Sequence, residues 1–171
     1  MTGKEFAENA LKLVGEPYNK IDCIAVVRLS AGIKCQGTNW LWRSFNYSRK
    51  YRYLVTRSDT PPDMEQLQDG LLVFRINWNK VPDGYTDKPN CHHVGVILGN
   101  TVIQSNTNTG VTQTDYNPTN WNACGFLKDV VYERPFMERQ TDEQDTYHPD
   151  AELLTDHEIL VRLYNYFFGI D

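Results

Sequence analysis

Two predicted strands joined by a glycine-containing link constrain the fold of this chain more than any other feature. Residues 93–98 and 102–106 are separated by a short link with Gly99-Asn100, which is typical of a tight hairpin between antiparallel strands. Upstream, Asp69-Gly70 is a turn signal that opens a near-continuous apolar run over residues 71–76, and such a run predicts a buried strand. The middle of the chain is therefore predicted to form an antiparallel sheet.

Two helices are predicted before these strands. Thr2 and Glu5 match a capping box, and apolar residues then recur at helical spacing until Gly15 ends the helix. Asp22 is a good N-cap residue for a second helix over residues 23–31. Because helices come first and strands follow, the pattern favours an α+β domain in which N-terminal helices pack on an antiparallel sheet.

The composition shifts near Pro135. Residues 135–171 are rich in Asp and Glu, and Thr155 and Glu158 match a second capping box at the start of an amphipathic pattern. An amphipathic helix buries its apolar stripe against a partner, so we expect it to pack on the main domain or on a downstream domain. The prediction is one domain at 1–134, followed by an acidic linker with a C-terminal helical appendage.

Charge and hydropathy exclude several classes of protein. The formal net charge is −5, whereas nucleic-acid binders are usually basic, and no apolar run approaches the length of a membrane span. Residues 1–5 are polar, so no secretory signal is expected there. Cys91, His92 and His93 are dense in ligand types, but adjacent strand residues diverge. No metal or other cofactor is predicted.

Residues 36–62 interleave aromatic and cationic side chains, with a short helix expected near residues 39–45. One interpretation is the wall of a binding groove, with Trp42 and Arg43 as candidate substrate contacts. The alternative is aromatic packing in the core with solvated cationic tips.

Cys23 occupies the first position of the second predicted helix. Helix starts carry partial positive charge and free N–H groups, and both favour thiolate over thiol. The thiolate is the reactive form, so this position suits a nucleophile. The alternative interpretation is a small buried hydrophobic residue.

A cysteine nucleophile needs a base, and His92 and His93 are the histidines outside the acidic segment. Because they are adjacent at a strand start, their side chains are expected to point to opposite faces. One of them could meet Cys23, and Gln104 or Asn106 on the next strand could accept the ring N–H and orient it.

Four segments in order resemble the NlpC-type cell-wall cysteine peptidases, which share a papain-like core. They are Val-Gly-x-Pro-Tyr with Asp-Cys, Asp-Gly-Leu-Leu-Val-Phe, His-Val-Gly-Val-Ile-Leu-Gly-Asn and Val-Ile-Gln-Ser. The resemblance implies Cys23 as nucleophile, His93 as base and Gln104 as the third catalytic residue. It also implies that the Tyr18 hydroxyl and the Cys23 backbone N–H steady the oxyanion, while Asp22 is a candidate substrate contact.

The activity that this resemblance implies is hydrolysis of an amide in peptidoglycan stem peptides, typically between D-glutamate and a diamino acid. An arginine from residues 36–62 is expected to meet the D-glutamyl carboxylate. The expected place of action is the bacterial cell wall, for a phage-type lysin, a tail-associated hydrolase or a secreted enzyme.

Two departures from the family keep alternatives open. Ile24-Ala25 follows the cysteine where the family usually has Ser-Gly, and Gln104 replaces the commoner histidine. The alternatives are another cysteine-dependent amidase or acyltransferase, and a non-catalytic cell-wall binding module.

Overall fold

A six-stranded antiparallel sheet dominates the computed structural model, which describes residues 1–134. The strand order across the sheet is β1-β6-β2-β3-β4-β5. The strands are β1 (Leu54–Ser58), β2 (Leu72–Asn77), β3 (Asn90–Leu98), β4 (Thr101–Asn106), β5 (Gly110–Asp115) and β6 (Ala123–Leu127).

Short helices connect and cover the sheet. Thr2 and Glu5 form the predicted capping box of the first helix, and Asp22 caps the second, whose bounds match the prediction. The helices are α1 (Gly3–Leu11), α2 (Cys23–Ala31) and α3 (Thr38–Arg43), with 3-10 turns at Ser44–Asn46, Met64–Gln66 and Pro118–Asn120. No helix in the described part of the chain is long and apolar enough to cross a bilayer.

The predicted fold class, an α+β papain-like core with a helical appendage, is wrong. Residues 1–134 are mostly antiparallel sheet, and none of their helices exceeds nine residues. One reason is β1, an unpredicted strand from the aromatic segment, which pairs with β6 and widens the sheet. The predicted helical appendage at residues 135–171 lies outside the described residues.

The sheet is buried on both faces, which explains the apolar run in β2. Leu72 and Phe74 belong to a core shared with α1 and α2, which we call the helix-side core. Leu71 and Val73 belong to a second cluster that contains no residue of α1, α2 or α3, which we call the far-side core. Because successive side chains of a strand alternate between faces, a strand between two cores must be apolar throughout.

The predicted hairpin of β3 and β4 is confirmed, and the two strands pair only next to the turn. Gly99 turns the chain with φ of 57°, and β3 pairs with β4 from Leu98↔Thr101 back to Val96↔Ile103. The pairing ends there, so the first half of β3 separates from β4. A bulge opposite Arg75/Ile76 also interrupts the pairing of β2 with this half of β3.

Candidate active site

The start of α2 holds the predicted nucleophile as expected. Asp22 has extended backbone angles, and its carboxylate accepts from the Ala25 N–H at 2.8 Å. Cys23 is therefore the first helical residue, where backbone N–H groups have no partner within the helix. The N–H groups of Cys23 and Ile24 interact with the Cys23 sulfur instead.

Burial governs the protonation of this thiol. Cys23 is 8% exposed, and burial raises its pKa above the ordinary value. An interaction with the Val94 backbone lowers the pKa of the thiol, while the negative charge of Asp22 raises it. Because burial outweighs the helix start, the pKa shift is opposite to that expected from the sequence, and the thiol is protonated at neutral pH.

His93 and Gln104 are brought together as predicted. His93 Nε2 lies 2.8 Å from Gln104 Oε1. Since an amide oxygen only accepts, Nε2 carries the proton and Nδ1 keeps a free lone pair. Burial lowers the pKa of His93, Gln104 raises it, and the charges of Arg75 and His92 lower it further. The ring is neutral at pH 7 and able to accept a proton at Nδ1.

The neighbouring candidates differ in burial and in hydrogen bonding. His93 is buried, whereas His92 is exposed where β3 bulges. Gln104 is held by a second hydrogen bond, from its Nε2 to Thr114 Oγ1 at 3.4 Å. Asn106 pairs with β5 at the end of β4 and makes no hydrogen bond to the ring among the described residues.

Cys23 lies close to the part of β3 that carries His93. The Val94 backbone contacts the Cys23 sulfur, so the thiol lies against the residue that follows His93. Val94 and Cys23 belong to the helix-side core, whereas the His93 ring stacks on Trp121 of the far-side core. Within residues 1–134 the thiol and the ring make no direct hydrogen bond.

A stack of side chains, not anticipated from the sequence, covers the histidine. The Trp121 ring is nearly parallel to His93, with centroids 5.6 Å apart and an interplanar angle of 14°. Gly95 makes room for it, since a Cβ there would approach the indole to 3.0 Å. The Arg75 guanidinium also lies over the indole, 4.8 Å from its centroid, and its Nε donates to the Asn120 carbonyl. The only signal in the sequence is the glycine two residues after His93.

Tyr18 lies near Cys23. Burial raises the pKa of its phenol, and the negative charges of Cys23 and Asp22 raise it further. Such interactions fall off with distance, so Tyr18 belongs to the surroundings of the thiol.

Trp42 and Arg43 contact other parts of the protein. Trp42 is 1% exposed and packs edge-on against Phe74, with ring centroids 5.1 Å apart. Arg43 pairs with Asp87 at 2.8 Å and also donates to the Pro89 carbonyl. These contacts give both residues a structural role, and their part in substrate binding stays a prediction.

Among residues 1–134 no group of three or more His, Cys, Asp or Glu side chains is placed to hold a metal ion.

No protein-family model matches the chain, and a search of curated proteins finds no similar sequence. The assignment of the site therefore depends on its geometry and on the order of its motifs.

Proposed function

We propose that this chain is a cysteine endopeptidase of the NlpC type, which hydrolyses an amide bond in peptidoglycan stem peptides. The observation that carries the proposal is the hydrogen bond between His93 and Gln104, on the strand whose backbone contacts the Cys23 sulfur. These are the three side chains to which the motifs assign the chemistry, and the contacts of Cys23 with Val94 and of His93 with Gln104 support the proposal.

In the proposed reaction, His93 Nδ1 takes the proton of the Cys23 thiol, and the thiolate attacks the amide carbonyl carbon. The carbonyl electron pair moves to oxygen, where the Cys23 N–H and the Tyr18 hydroxyl steady the negative charge. Protonated His93 then gives its proton to the leaving amine as the C–N bond breaks. Water, deprotonated by His93, hydrolyses the thioester and regenerates the thiol.

The resting arrangement adds one requirement to this cycle. Because the thiol is protonated and makes no direct hydrogen bond to the ring, Cys23 or His93 has to turn before the proton moves. The His93–Gln104 bond limits rotation of the ring, so we assign this movement to the Cys23 side chain.

Digestion of purified peptidoglycan, read by mass spectrometry, tests the proposal. The wild type is expected to release new peptide fragments whose masses identify the cleaved amide, and Cys23→Ala is expected to release none. Cys124→Ala is the control, since Cys124 is a buried thiol of the far-side core. Equal fragmentation by the wild type and Cys23→Ala would contradict the proposal.

One observation favours a second candidate, a non-catalytic cell-wall binding module. A thiol with a raised pKa and no hydrogen bond to histidine is also what an inert cysteine shows. Such a module would sediment with peptidoglycan and release no fragments from it at any pH.

A further inference from the structure

A surface pocket opens at the start of α2, beside the candidate nucleophile. Its volume is about 320 Å³, and its lining includes Tyr18, Lys20, Asp22, Arg28 and Leu29. Asp22 directly precedes Cys23, and the Tyr18 phenol is close enough to Cys23 for the thiolate charge to act on it. The pocket therefore adjoins the place where the attacked carbonyl has to lie.

Arg28 is a cationic side chain of this pocket that forms no ion pair with another described residue. Its exposed side chain makes no hydrogen bond or ion pair within residues 1–134, whereas Lys20 lies 3.6 Å from Glu16. One Asp22 oxygen caps α2, and the other makes no hydrogen bond in the described structure. The pocket thus offers one free guanidinium and one free acceptor oxygen.

The arginines of the aromatic segment are mostly engaged elsewhere. Arg43 pairs with Asp87, and Arg52 donates to the Tyr47 carbonyl. Arg57 stacks over the ring of Trp42. The sequence predicted that this segment supplies the arginine for a substrate carboxylate. Arg28 of α2 is the stronger candidate, because its guanidinium makes no such contacts among the described residues.

We propose that this pocket binds the amino acid on the acyl side of the scissile amide through its free carboxylate, with Arg28 as the specificity-determining residue. The proposal rests on the proposed endopeptidase function. A guanidinium matches a carboxylate with two parallel hydrogen bonds. Leu29, which is 61% exposed, gives the aliphatic part of that residue an apolar wall. The free Asp22 oxygen accepts a substrate amide N–H.

The test uses two synthetic stem tetrapeptides that differ only at the D-glutamyl residue, which carries either a free α-carboxylate or an α-carboxamide. Hydrolysis of each is measured with the wild type, Arg28→Gln and Arg49→Gln. Arg49 is the matched control, because it is an exposed arginine of the aromatic segment. Binding of both peptides is measured in parallel on Cys23→Ala, with and without Arg28→Gln.

The wild type and Arg49→Gln are expected to prefer the carboxylate peptide in kcat/KM by roughly tenfold or more, the usual effect of a charge-assisted hydrogen bond. Arg28→Gln is expected to lose that preference, because its kcat/KM on the carboxylate peptide falls toward its value on the carboxamide peptide. If the preference survives in Arg28→Gln, or is lost in Arg49→Gln instead, the pocket assignment is overturned.

The binding measurement separates this proposal from the function on which it rests. If the wild type cleaves neither peptide while Cys23→Ala binds the carboxylate peptide in an Arg28-dependent way, the endopeptidase function fails and the pocket stands. Equal binding of the two peptides, or binding that does not depend on Arg28, overturns the pocket.

Discussion

The two halves of the candidate site are built differently. His93, the proposed base, is held by Gln104 at 2.8 Å and covered by Trp121, so its ring has a fixed orientation. At the start of α2, Cys23 is a buried, protonated thiol, and its contact with β3 is with the Val94 backbone. Under the proposed function, the comparison teaches that the base is preorganised, whereas the nucleophile has to turn toward that base to be activated.

Removing the base is expected to have the largest effect. His93→Ala should lower kcat/KM on a stem peptide by about a thousandfold, because it removes the group proposed to take the thiol proton. His92→Ala is the matched control, since His92 is the exposed neighbour at the bulge, and it should keep wild-type activity. The measurement is the steady-state kcat/KM of the two variants on the same stem peptide. Similar losses in both would mean that the buried ring has no special role.

Removing the hydrogen bond that orients the His93 ring should lower activity less than removing the ring itself. Gln104→Leu removes the oxygen that holds His93 Nε2, and misorientation of the base should lower kcat by roughly tenfold to a hundredfold. Gln113→Leu, on the exposed part of β5, is the control in the same initial-rate assay. An unchanged kcat in Gln104→Leu would show that the histidine half is not preorganised by this bond.

The cover of the histidine is predicted to act on its protonation. Trp121→Leu removes the stacked indole and admits water, so the pKa of His93, which burial lowers, should rise toward its ordinary value. Imidazole proton signals in an NMR titration would report this shift. Loss of a buried indole should also destabilise the fold by about 3 kcal/mol, measured by denaturant unfolding. A His93 pKa that does not change would contradict the shielding role.

The smallest effect is expected for a substitution beside Cys23, at the helix cap Asp22. Asp22→Asn keeps a good N-cap residue but removes a negative charge that raises the pKa of Cys23. Alkylation by iodoacetamide follows the thiolate, so its rate at Cys23 should rise with pH in both proteins. The midpoint for Asp22→Asn should lie at lower pH. A midpoint at equal or higher pH would show that Asp22 does not control this thiol.

Local sequence signals predicted local structure well in this chain. Asp22 and Gly32 bound α2, and Gly99 turns the hairpin, because caps and turns depend on a few neighbouring residues. The hairpin in turn brings β4 beside β3, which explains why Gln104 could be proposed as the partner of His93.

The features that were missed depend on long-range packing. Pairing of β1 with β6 joins Leu54 to Leu127, and no local pattern specifies that register. Trp121 lies in a loop and reaches His93 only through the folded sheet. The direction of the Cys23 pKa shift follows from burial, which outweighs the helix start and is decided by the whole core.

Trapping the acyl-enzyme tests the central claim most directly. A stem peptide is mixed with the wild type, the reaction is quenched in acid, and the chain is mapped by mass spectrometry. We predict a thioester on the peptide that contains Cys23, absent in Cys23→Ala. Product formation by Cys23→Ala, or an adduct on Cys35, Cys91 or Cys124 instead, would contradict the assignment of Cys23 as the nucleophile.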